Sequence, residues 1–437
     1  MKLMVESPTM PAGRFLILPL MTLLLAAKPP GKPAAGVSSM TAEEASAMAR
    51  EIMPKVEEIR GLKFKQDVPV RVVDDVQARA HFQSRIEKFW PESQIRAEQT
   101  AYIQLGLLPA GAELKGSLFA LLEEQAAGFY DPDSDTFFVL GDMPRSSAPL
   151  LMAHELTHAL DDQHYGIDAL IEKTRADEER AAGVSAVVEG SGMLVMTLFL
   201  SKEMLAGNLD LAAIAELGQS EAGRGDALKA APPLLQRGLL SPYLLGQTFL
   251  LRGDLSNISS GLRAADLDRA FRDPPLSSEQ ILHPEKYWDD TKRDPPRPVE
   301  LPDPCAALGA GWSRTGQGDL GEMNIAILTG SVPLDLLSPE ATGPGAWTNE
   351  AAAGWGGDQW SLCGSAGGRH VTLLATLWDT PEDAAQFESA LAPAAGRLVI
   401  RRRDAVVLVA GDAGDRAGSL ATSVLDSLAP SPSASTR

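Results

Sequence analysis

The chain has 437 residues, 44% of them apolar and 22% charged, and its 58 acidic against 39 basic side chains give a net charge of −19. Such a composition buries a core and is neither disordered nor collagen-like, while the acidic balance argues against nucleic acid and anionic membranes as partners. Two cysteines cannot build a disulfide scaffold, a thiolate zinc module or an iron–sulfur site, so metal chemistry would fall to the six histidines and to carboxylates.

Residues 1–27 carry Lys2, Arg14 and an apolar run from Phe15 to Ala27. The run is too short to span a bilayer and reads as a signal peptide, with an uncleaved N-terminal anchor as the alternative. No cysteine follows it, and a start at Met10 would give a cleaner leader. Export places the mature chain, with no membrane span, in a periplasmic or extracellular compartment where Cys305 and Cys363 can pair. Residues 28–40 form a flexible leader. Thr41 and Glu44 then make a capping box that opens a helix to Arg60. Val68 to Asp74 alternates like a strand, Asp74 to Phe89 and Leu114 to Gln125 read as helices, and Gly128 to Leu140 reads as a hairpin turning at Asp131 to Asp135.

The Pro-rich stretch 294–304 reads as a linker. It separates residues 41–293 from a small α+β unit at 305–428. In that unit a strand (His370 to Trp378), helix (Pro381 to Ala394), strand (Arg397 to Val409) and helix (Gly418 to Leu428) follow one another, with the helices on one sheet face. Gly356-Gly357 reads as a turn, Arg401 to Arg403 as a solvated part of a strand, and 429–437 as a disordered tail.

The chemistry concentrates in Ala153-His-Glu-Leu-Thr-His158. On a helix, His154 and His158 lie about 40° apart on one face and can share an ion, with Glu155 about 100° away beside it, in the position of a general base. Ser146 or Ser147 caps this helix and Pro149 fits its first turn. A catalytic zinc needs a third protein ligand and an open position. Two residues compete. His164 stands at the spacing of a His-Glu-x-x-His-x-x-Gly-x-x-His motif, but Asp161 replaces the helix-breaking glycine, and on a continuing helix His164 points about 120° from His158. Glu189 is the only charged residue between Ala181 and Ser201, and a carboxylate in an apolar helix calls for a partner such as a metal ion. Gly190, Ser191 and Gly192 would let its helix come close. The length of the stretch also fits a membrane span, against which the glycines and the central glutamate argue.

His154 to Tyr165 followed by Val187-Val-Glu-Gly190 resembles the gluzincin class of zinc metallopeptidases, within the peptidase MA-like clan. More narrowly, the chain is similar to a mostly uncharacterised family of exported bacterial and archaeal proteins carrying this motif. The likeness runs from about residue 55 to 425 and includes Glu124 to Pro132, Ser241 to Gly246, Ser278 to Tyr287, Gly354 to Asp358 and Trp378-Asp379. It implies an α+β fold, with a mainly helical zincin-like domain that holds a short mixed sheet. It also implies one zinc ion on His154, His158 and Glu189, with Glu155 as catalytic base, and a substrate-binding edge at Phe137 to Leu140. The family often has an acid where this chain has Ser191. Tyr243 and His283 are candidates to steady the oxyanion, since each lies in a segment that looks constrained. The expected activity is zinc-dependent hydrolysis of a peptide or protein substrate. The rival is a catalytically inactive zinc-binding protein with a binding or chaperone role.

Overall fold

The computed structural model describes residues 40–428, except 126, 144, 146, 209–225, 302, 331–333, 335–337, 395 and 404. The expected signal peptide, the leader up to residue 39 and the C-terminal tail lie outside the described residues.

The fold is α+β. The first part of the chain runs α1 (Ala42–Arg60), β1 (Val70–Val73), α2 (Asp75–Phe89), α3 (Glu92–Leu105), α4 (Leu114–Gln125), β2 (Gly128–Asp131), β3 (Thr136–Leu140), α5 (Ala148–Tyr165), α6 (Ile167–Thr174) and α7 (Glu178–Leu205). There follow α8 (Asp226–Ala230), α9 (Pro233–Leu250), α10 (Ala264–Arg272), α11 (Ser278–Leu282) and α12 (Glu285–Trp288). The second part contains β4 (Trp312–Gly318), α13 (Gly321–Leu328), β5 (Trp355–Ser365), β6 (His370–Trp378), α14 (Pro381–Ala390), β7 (Leu398–Arg402), β8 (Ala405–Gly411) and α15 (Ala417–Ser427).

Thr41 caps α1 through the expected box, its hydroxyl accepting from the Glu44 N–H while the Glu44 carboxylate accepts from the Thr41 N–H. Gly166, at φ 66°, ends α5 in the left-handed region that glycine adopts without strain. Helix α7 is long and apolar enough to cross a membrane, yet 72% of its most apolar window is buried, and it packs on α5 and α9 as a core helix.

Near the motif helix a three-stranded sheet has the order β1-β3-β2, with β1 parallel and β2 antiparallel to β3. Phe137 to Leu140 is therefore the central strand. The edge expected there is corrected: the backbone groups of this strand are taken by β1 on one side and by β2 on the other, which leaves β1 and β2 as the edge strands.

The second sheet is antiparallel, in the order β4-β5-β6-β8-β7. The strand expected over Arg397 to Val409 is instead the hairpin β7–β8, reversing after the polar run Arg401 to Arg403, where the Arg403 N–H bonds to the Ala405 carbonyl. Gly356-Gly357 is not a turn but part of β5, at a bulge. The linker explains it: the Arg297 N–H donates to the Gly356 carbonyl at 2.7 Å, and a side chain on Gly357 would run into the Arg297 backbone.

Helices cover both faces of this sheet, not one. Leu420 and Val424 of α15 pack with Val371, Leu373, Val407 and Val409, while Leu374, Val406 and Leu408 on the other face join Phe387 of α14 and Tyr102 and Leu105 of α3. The reason is legible in β8, whose Ala405 to Ala410 are all buried, so neither face can be left to water. Helix α3 thereby ties the first part of the chain to the second. Cys305 and Cys363 form a disulfide across 58 residues. In a chain-entropy model, a loop of that length is worth roughly 4 kcal/mol.

Candidate metal centre

The site lies where α5 crosses α7. Pro149 stands in the first turn of α5; Ser147 occupies its N-cap without the expected side-chain cap bond, Ser146 lies outside the described residues, and the helix is buried along almost its whole length from Ala148 to Asp162. His154, Glu155 and His158 are all fully buried, with side-chain ligand atoms within 4.8 Å of one another. From α7, Glu189 Oε2 comes to 3.2 Å from His154 Nε2 and 3.5 Å from His158 Nε2. Metal bonds of about 2.0–2.1 Å at a tetrahedral angle separate neighbouring ligand atoms by roughly 3.3 Å, which is the spacing of Glu189 from each of the two histidines.

The approach depends on missing side chains. A Cβ on Gly190 would sit 2.5 Å from the Gly246 carbonyl carbon of α9, and one on Gly192 would sit 2.6 Å from His154 Cε1. Helices α7 and α9 therefore pack backbone to backbone, while the His154 ring of α5 lies over Gly192. On its other side the ring stacks on Tyr243, with centroids 6.0 Å apart and planes 21° apart. Neither histidine Nδ1 has a hydrogen-bond partner among the described residues, so packing rather than an outer bond orients His154.

Burial sets the protonation. It pushes His154 down to about 4, aided by the neighbouring His158, and His158 down to about 3, while it raises Glu189 against the opposing hydrogen bonds from His154 and Tyr243. Two neutral imidazoles and a buried carboxylate, brought together with no lysine or arginine among the described residues bonded to any of them, make a donor set suited to a divalent cation.

Glu155 faces the small sheet. Its Oε2 accepts the backbone N–H of Tyr130 at 2.8 Å, from the side of β2 turned away from β3. The Tyr130 hydroxyl in turn donates to Asp162 Oδ2 at 2.8 Å, while Asp162 Oδ1 accepts the Ile167 N–H, so one tyrosine ties edge strand, base and motif helix together.

His164 is not brought to the site. Helix α5 continues through Asp161, and His164 Nε2 lies 2.8 Å from the Lys63 carbonyl on the far side. His283 is likewise elsewhere. Its Nε2 pairs with Glu322 Oε1 at 3.1 Å, and it lines a separate cavity of about 520 Å³ with Arg252 and Trp288, which none of the four site residues borders. Its candidacy beside the oxyanion is corrected on that ground. Tyr243 does stand at the site, its hydroxyl bonded to Glu189.

Reasoning from sequence missed Arg60, Tyr130, Asp161 and Asp162. Asp161, which enters the sequence pattern only as an obstacle to the His164 spacing, accepts Arg60 Nε at 2.8 Å and the Ser191 hydroxyl at 2.6 Å, with all three side chains buried. Ser191, at the position where the resemblance implies an acid, thus donates to an acid supplied by the neighbouring helix. The signal available was the pair of adjacent acids Asp161-Asp162, which begins three residues after His158.

Residues 311–422 match the model of a domain of unknown function (DUF8575). The match spans β4 to β8 and most of α15 and includes none of the site residues. No curated protein and no solved structure matches the chain.

Proposed function

We propose that this chain is an exported zinc metallopeptidase of gluzincin type, with a zincin-like fold around α5 and α7, in which His154, His158 and Glu189 hold one zinc ion. The observation that carries the reading is Glu189 Oε2 at 3.2 and 3.5 Å from the two histidine Nε2 atoms, with Glu155 held beside them by the edge strand. Zinc bound there would supply Lewis acidity to a water and to a peptide carbonyl. Glu155 takes the proton of the attacking water and passes it to the leaving amine. Tyr243, whose hydroxyl already reaches Glu189, donates to the oxygen on which charge develops. The extended peptide binds the outward backbone groups of β2 other than the Tyr130 N–H, which Glu155 occupies, since strand addition needs unpaired backbone groups and β3 has none to offer.

Burial favours a second reading, that of a zinc-binding protein with a binding or chaperone role and no hydrolysis. His154, Glu155 and His158 expose no surface, so a peptide reaches them only if covering segments part. Incubation of the zinc-loaded chain with a mixed peptide library separates the two. The peptidase reading expects cleavage that Glu155→Gln abolishes. Absence of cleavage with zinc bound, or cleavage that survives Glu155→Gln, would refute it.

A further inference from the structure

The first turn of α7 is held down by the second part of the chain. The turn from β4 into α13, residues 318–321, lies so close that a side chain on Gly318 would run into Glu178 Oε1 and one on Gly321 into the Glu179 carboxylate. Asp358 of β5 braces that turn, accepting the Leu320 and Gly321 N–H groups at 2.8 and 2.9 Å and the Trp355 indole N–H at 2.9 Å. From the other side, Glu179 Oε2 accepts the Ser278 N–H and hydroxyl, both at 2.7 Å. The turn and β5 belong to residues 311–422, which match a domain of unknown function.

What fills the contact is acid. Glu178, Glu179, Asp358 and, from α3, Glu98 and Tyr102 are buried, and Asp319 sits in the turn itself. Their donors are unequal. Asp358 has three N–H groups, Glu179 has the two groups of Ser278, and Glu98 is bonded to Gln94 and Trp90. Neither carboxylate oxygen of Glu178 nor Oδ1 of Asp319 has a hydrogen-bond partner among the described residues.

The basic groups of the elements that meet here are engaged elsewhere. Arg180 turns back to Asp177 at the start of α7, Arg314 of β4 bonds Gln317, and Arg237 of α9 lies over Trp347. On α11 and α13, Glu279 and Glu322 are taken by Lys286 and His283.

Burial therefore governs the protons. It pushes Asp358 up to about 6, against its three donors, and Glu179 up to about 8, with Asp358 and Asp177 adding to the rise. It holds Glu178, Glu98 and Asp319 well above the usual carboxylate range and keeps Tyr102 neutral. Near neutral pH the cluster thus carries the charge of Asp358, and Glu179 is the next to ionise. Both approach Gly321, Asp358 from β5 and Glu179 from α7, so like charges then meet across the contact.

The packing beside the acids is incomplete. A cavity of about 40 Å³ lies between Ala182 and Ser185 of α7 and Met323 and Asn324 of α13. Atoms that face a void forfeit dispersion attraction, which leaves the carboxyl cluster a larger share in holding the two parts together.

We propose that this contact is a proton-held latch: with Glu179 protonated the β4–α13 turn stays on α7, and with Glu179 ionised its charge and that of Asp358 drive turn and helix apart. The latch gives the region 311–422 a task and does not rest on the peptidase reading. Once released, Glu179 returns toward its ordinary value of 4.5. Between pH 4.5 and about 8 the closed form holds a proton that the open form has lost, so opening rises with pH by up to about tenfold per unit and levels off above that window.

Hydrogen exchange on the full chain, read at single amides by mass spectrometry and divided by intrinsic rates, tests it. The Ser278, Leu320 and Gly321 N–H groups are bonded to latch carboxylates and report its opening. Val407 and Val409, in β8 between β6 and β7, report unfolding of the whole. At pH 7.5 the latch amides should exchange at least about tenfold faster than those of β8, and their protection should have fallen about tenfold or more from its level at pH 5. Glu179→Gln, which cannot ionise, should abolish that fall. Latch and β8 amides that exchange together at every pH, or latch protection unchanged between pH 5 and pH 7.5, overturn the proposal on the wild type alone. A fall that persists in Glu179→Gln overturns it as well.

Discussion

Replacing Gly192 by alanine is a sharp probe of the way α7 meets α5. The added methyl would lie 2.6 Å from His154 Cε1 and 2.8 Å from each of its ring nitrogens. Carbon atoms in contact normally stand about 3.5–4.0 Å apart, so ring or helix must give way by roughly 1 Å. Neither has room. The His154 ring is backed by Tyr243 and meets His158 edge-on at 4.5 Å, and α7 is pressed against α9 through Gly190 and Gly246. Overpacking of this kind costs about 1–3 kcal/mol of stability. It also displaces a ligand nitrogen from a bond whose length tolerates only about 0.2 Å, which should weaken zinc by roughly 10–100-fold. Competition with a chromophoric chelator gives the affinity, and urea unfolding gives the stability. A Gly192→Ala chain that binds zinc and unfolds like the wild type would show that His154 does not lie over Gly192, and the argument for the centre's geometry would fail with it.

The buried network around Asp161 and the acids of α7 give two more tests. Asp161→Ala strands the Arg60 guanidinium, leaving it chiefly Asp268, and should cost about 3–5 kcal/mol, whereas Ser191→Ala removes one hydroxyl bond and should cost about 1 kcal/mol. Similar urea midpoints for the two variants would contradict the assignment of Asp161 as the hub. Burial pushes Glu179 up to about 8 from 4.5, against the opposing bonds from Ser278. Between those values the folded chain holds a proton that the unfolded chain has released. Its contribution to stability is thus complete below pH 4.5 and is lost as the pH rises to about 8, by up to about 1.4 kcal/mol per pH unit. Glu179→Gln should flatten the fall in unfolding free energy between pH 5 and pH 7.5, and an unchanged slope would show that Glu179 does not carry it.

Helices with their own end signals are legible in the amino-acid sequence: the box at Thr41 and Glu44 opens α1, and Pro149 stands in the first turn of the motif helix. Glu189 stands out because a lone charge in an apolar run demands a partner. What local pattern does not carry is relational. Tyr130 matters through its backbone N–H, which every residue but proline possesses, and so nothing in its identity announces the bond to Glu155. His283 lies in a segment that looks constrained, and it is, but by Glu322 thirty-nine residues away. The central place of Phe137 to Leu140 depends on pairing with Val70 to Val73, a parallel contact made across α2, α3, α4 and β2 that local pattern does not encode. Strand β5 is disguised by Gly356 and Gly357, whose role is set by the linker lying across them.

The claim on which the rest depends is that two helices supply three ligands to one ion, and metal content measured by emission spectroscopy on purified variants tests it most directly. The wild type and His164→Ala should each retain zinc near one ion per chain, and Glu189→Ala should fall far below that. Zinc retained by Glu189→Ala and lost from His164→Ala would contradict the account.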